Sequence, residues 1–103
     1  MTRPIKPKSI KLQQQERVQE LIMELAGFAL DTREVLYNYG EYLSNTAKRR
    51  ICVVAKLHGE MLTLEKYSDA IGLEIVVERA ERIFEGAKEL SNKITEEVNA
   101  IAQ

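Results

Sequence analysis

The chain has no tryptophan, one cysteine, one histidine and two prolines among its 103 residues. A single cysteine, Cys52, excludes an intrachain disulfide, and the expectation is a reducing, cytoplasmic setting. A single histidine, His58, is too few for the multi-histidine sites that hold zinc or paired iron. Long apolar runs are also missing. The longest is residues 51–55, against the ~20 residues needed to cross a bilayer, so no membrane span is expected. The opening MTRPIKPKSIKLQQQ lacks the apolar core of a secretion signal. No glycine-rich phosphate loop, Gly-x-Ser-x-Gly elbow or Cys-x-x-Cys pair occurs. The reading is therefore non-enzymatic, with no cofactor and no metal.

What is present suits one globular domain: 45% hydrophobic and 30% charged residues, with a net charge of −1. That small net charge conceals an asymmetry. Residues 1–58 hold ten Lys/Arg and six Asp/Glu, whereas residues 59–103 hold five and ten. The front half is basic and the back half acidic, which favours antiparallel association of the two.

Residues 1–8 carry Arg3, Lys6 and Lys8 between Pro4 and Pro7 and read as an extended basic arm. Residues 9–103 read as a single helical domain. Val18, Leu21, Leu25, Phe28, Thr32, Val35, Tyr39 and Tyr42 recur in steps of three and four. Ile22, Ala29, Leu36 and Leu43 accompany them at a spacing of seven, which predicts one long helix over about 9–44. A shorter helix over 46–58 follows, facing inward with Ala47, Ile51, Val54 and Ala55, and ended by Gly59. Met61 and Leu62 read as an apolar loop, and Thr63 as the cap of a short helix. From Leu73 a second three–four repeat through Val76, Ala80, Ile83, Ala87, Leu90 and Ile94 predicts a helix over about 73–101. No stretch alternates with period two, so the fold class is all-α: two long amphipathic helices with one or two short ones between them. The middle helices are too short to cover both long stripes, so a homodimer is expected to complete the bundle.

Several residues invite a chemical reading. Cys52 lies near Arg49 and Arg50 in sequence, but a free cysteine is expected to be a small buried hydrophobe. His58 suits the negative C-terminal end of the middle helix. Glu78-x-x-Glu81 resembles half of the metal-binding pattern of all-α pyrophosphohydrolases. The second half is missing, and Arg79, Arg82 and Lys88 are interleaved, as on a solvated salt-bridged face. Residues 64–73, LEKYSDAIGL, resemble the start of a helix-turn-helix. The helix that should read bases then begins Glu74-Ile75-Val76-Val77-Glu78, which repels phosphate.

Two surfaces remain. Tyr37, Tyr39 and Tyr42 crowd the end of the first helix as a candidate protein interface. Arg3, Lys6 and Lys8, with Lys48, Arg49 and Arg50, are candidate contacts for an acidic partner or for weak, sequence-independent nucleic-acid binding. The leading expectation is a small adaptor or regulator, homodimeric, acting on a protein partner through its helix faces. The alternative is a nucleic-acid-associated protein that uses the basic arm and cluster.

Overall fold

The computed structural model describes residues 9–102, and these form four helices with no strand among them. Helix α1 spans Ile10–Tyr39, α2 Asn45–Lys66, α3 Ser68–Ile71 and α4 Leu73–Ala102. The arm expected at residues 1–8 lies outside the described residues. Helices α1, α2 and α4 run up, down and up, and each packs on the other two. The fold is therefore an all-α bundle.

Each end of α1 has a local cause. Ser9 is extended, and its hydroxyl accepts from the Leu12 N–H at 3.1 Å, satisfying a donor that the first turn leaves open. The expected run to residue 44 stops five residues early, at Tyr39. A β-carbon on Gly40 would sit 2.5 Å from the Leu36 carbonyl oxygen, so only glycine lets the chain fold this tightly. The amides of Tyr42 and Leu43 both donate to the Tyr39 carbonyl, closing the turn. Ser44 then caps α2 by accepting from the Ala47 N–H at 3.0 Å.

Helix α2 corrects the sequence reading most. It does not stop at His58 but runs through Gly59 to Lys66, 22 residues in all, or about 33 Å. Met61, expected in a loop, is fully buried. Thr63 does not cap a new helix; its hydroxyl donates to the Gly59 carbonyl one turn back, at 3.1 Å. Ala55 and Cys52, expected to be inward-facing or buried, are exposed, and the inner face is Ala47, Ile51, Val54 and Met61. A helix of that length lies along both α1 and α4, so the premise that the middle elements are too short to cover the long stripes fails.

The core is continuous. Val18, Leu21, Ile22 and Leu25 of α1 meet the α2 face and Val76, Ala80, Phe84, Ala87 and Ile94 of α4. Phe28 stacks on Phe84 with centroids 5.6 Å apart, joining α1 to α4, a contact worth ~0.5–1.5 kcal/mol beyond its area. Thr32 fits a buried position because its hydroxyl donates to the Phe28 and Ala29 carbonyls at 2.9 and 3.2 Å. Gly72, at φ 99°, makes the left-handed turn from α3 into α4.

Two substitutions check this packing through urea denaturation. Leu25→Ala removes a fully buried side chain and should cost ~2–5 kcal/mol. Gly59→Ala should instead stabilise by about 0.5–1 kcal/mol, because nothing lies within 4 Å of the added β-carbon inside a continuous helix. A helix ending at His58 predicts no such gain.

Candidate functional site

Lys48, Arg49 and Arg50 occupy the first turn and a half of α2, where Arg49 is exposed and its neighbours are half-buried. Arg3, Lys6 and Lys8 lie outside the described residues, and the chain that follows them enters at Ser9, the far end of α1. The Lys48–Arg50 cluster is answered by acid. Glu97 of α4 accepts from the Ser44 backbone N–H at 3.0 Å and from its hydroxyl at 2.7 Å. Those two bonds, the backbone one first, together with the charge of Arg50, hold the Glu97 carboxyl below its ordinary value.

The three tyrosines separate. Tyr39 is half-buried against the core, while Tyr37 and Tyr42 stand out in solvent. With Lys48, Glu41 and Leu36 those two surround a depression of about 620 Å³ beside the α1–α2 turn. Tyr37 also belongs to a second pattern that the sequence reading missed. Met23, Leu30 and Tyr37 follow one another at intervals of seven on the outer face of α1, exposed by 73%, 62% and 91%. They lie nearly opposite the buried Val18, Leu21 and Leu25 row. The buried row is longer and hid this one; the signal available was α1's weak amphipathicity beside that of α4.

Cys52 and His58 line a shallow apolar groove of about 380 Å³ between α1 and α2, with Ala26, Leu30 and Ala55. His58 is thus half-buried in mid-helix rather than at a helix end. No hydrogen bond joins it to Cys52 among the described residues. The Glu78 carboxylate accepts from Arg82 at 2.7 Å on an exposed face. Glu81 accepts from Arg17 of α1 at 3.1 Å. Glu81 first, then Glu20, raise the Arg17 guanidinium above its ordinary value. The segment that resembles a helix-turn-helix joins the end of α2, through the single turn of α3, to the acidic start of α4.

A concavity of about 830 Å³ lies on the other side of the bundle. Lys56, Gly59, Glu60, Thr63 and Leu64 of α2, Tyr67 and Ile71 around α3, and Arg79, Arg82 and Ile83 of α4 enclose it. Its wall on α2 exists only because that helix continues past Gly59. Reading a loop at Met61 made it invisible from the sequence.

The Glu97–Ser44 link gives a pH test. A lowered carboxyl contributes stability that is present above the ordinary glutamate range and lost as pH falls through the lowered value. Glu97→Gln should therefore melt below the parent protein at about pH 7 and alongside it by about pH 3. A gap unchanged across that range would contradict the assignment. No family model matches this chain, and neither does any curated protein or solved structure.

Proposed function

We propose that this protein is a non-enzymatic adaptor or regulator that works through its helix faces, as a homodimer joined along the outer face of α1. One observation carries this reading: the Met23, Leu30 and Tyr37 row, which no other helix among the described residues covers. Leaving three large apolar side chains in water on one stripe is unfavourable, and a spacing of seven is the period at which two helices wind together. A two-fold axis presents the same row from both subunits, so one patch serves each.

Charge indicates the orientation. Helical geometry puts Glu20, Asp31 and Glu34 on one flank of the row, and Ala26 and Arg33 on the other. An antiparallel two-fold would set acidic flank against acidic flank. A parallel one sets each acidic flank against the partner's Arg33 side, and the small Ala26 permits close approach. The parallel arrangement is the one proposed. The nucleic-acid alternative has less support, because the carboxylate of Glu97 sits at the start of α2 beside the Lys48–Arg50 cluster.

Sedimentation equilibrium at micromolar concentration should give about twice the 11.8 kDa chain mass. Leu30→Glu should give the single-chain mass with unchanged helicity, since Leu30 contributes little to the core. A parent protein that stays monomeric, or a Leu30→Glu variant that still pairs, would refute the proposal.

A further inference from the structure

The groove between α2, α3 and α4 is separate from the α1 row and differs from it in chemistry. Its floor is apolar: Leu64, Ile71 and Ile83, with half-exposed Tyr67 at one end. Three of its four charged lining residues are cations, Lys56, Arg79 and Arg82, against Glu60 alone. Arg82 shares its charge with Glu78, but Lys56 and Arg79 have no ion-pair partner among the described residues. A cation left unpaired beside an apolar floor is half of an interface.

We infer that this groove docks an acidic amphipathic helix from a protein partner, its apolar stripe on the floor and its carboxylates against Lys56 and Arg79. The dimensions match. From Lys56 to Tyr67 the α2 wall runs about 16 Å, the length of three helical turns. Gly59 lies on that wall with open space where a side chain would be, which lets a visiting helix approach the α2 backbone. The basic arm at residues 1–8 is the wrong sign to fill the groove. A fatty-acid-like amphiphile brings a single carboxylate and would leave Lys56 or Arg79 unanswered.

The test uses three synthetic peptides of about four helical turns, each labelled for fluorescence anisotropy. One has leucines at helical spacing flanked by glutamates, one has the same leucines flanked by lysines, and one has the glutamate composition scrambled. The full-length chain should bind the glutamate peptide, and the other two about tenfold more weakly or not at all. Added salt should weaken the favoured complex. The double variant Lys56→Glu with Arg79→Glu should reverse the preference between the two leucine peptides. Both side chains are at the rim, so the fold should survive, and circular dichroism checks this. Gly59→Trp should abolish binding of either peptide by filling the wall. Leu30→Glu should leave binding intact, which separates this groove from the dimer reading. Equal binding of the two charged peptides, binding of none, or saturation by dodecanoate without peptide binding would each overturn the inference. So would self-association that Arg79→Glu abolishes, since the occupant would then be a second copy.

Discussion

The structure depends on α2 remaining helical through Gly59. Glycine is the poorest helix former after proline, costing about 1 kcal/mol relative to alanine, and a break there is the natural expectation from local propensity. Burial decides otherwise. Continuing the helix for two more turns carries Met61 to a position with no solvent exposure and sets Leu64 beside the core. Burying a methionine fully is worth ~1.5–3 kcal/mol, which exceeds the glycine penalty before Leu64 is counted. The Thr63 hydroxyl, returning to the Gly59 carbonyl, satisfies a lone pair at the weak point.

With α2 extended, one chain closes its own core. Helices α1 and α4 are parallel neighbours, each seated on the intervening α2 and tied to one another by Phe28 on Phe84 and by Arg17 to Glu81. Gln19 to Glu65 and Ser44 to Glu97 mark the two ends of the bundle and fix the register of the middle helix. These polar links are exposed, so each adds only modest stability, and together they align the helices. Closing the core in this way also defines what is left outside: an apolar row on α1 and a basic-rimmed groove beside α2. Both face away from the buried interior, and they lie on different helices. That separation suits the proposed adaptor role, because self-pairing and partner docking would not compete.

The long helices were legible because their apolar steps of three and four persist over many turns, and packing agrees with that pattern at Val18, Leu21, Leu25, Val76, Ala80 and Ile94. The start at Ser9 and the turn at Gly72 were legible from capping and backbone chemistry. The middle of the chain was not. Gly59, the Met61–Leu62 pair and Thr63 each carry a local signal for a break, and all three are overridden by one tertiary contact that sequence spacing does not reveal. The same misreading hid the groove beside α2, while Cys52, expected to be buried as free cysteines usually are, is exposed. On α1 the reason is different: two apolar rows share one helix, and the longer, continuous row masks the Met23, Leu30 and Tyr37 spacing. The candidate cations at residues 48–50 were correctly placed at a helix start, but their counterpart Glu97 is 47 residues or more away in sequence and is brought close only by the fold.

The central claim is that one chain buries Leu25 and Met61 by itself and leaves Met23 and Leu30 for a second copy. Methyl NMR with a soluble paramagnetic probe, recorded on dilute and concentrated protein, tests both halves at once. The Leu25 and Met61 methyl signals should be shielded from the probe at every concentration, while those of Met23 and Leu30 should broaden in dilute solution and become shielded on concentration. Broadening of Leu25 and Met61 in dilute protein, recovering only when it is concentrated, would contradict the account. The core would then be built between chains rather than within one.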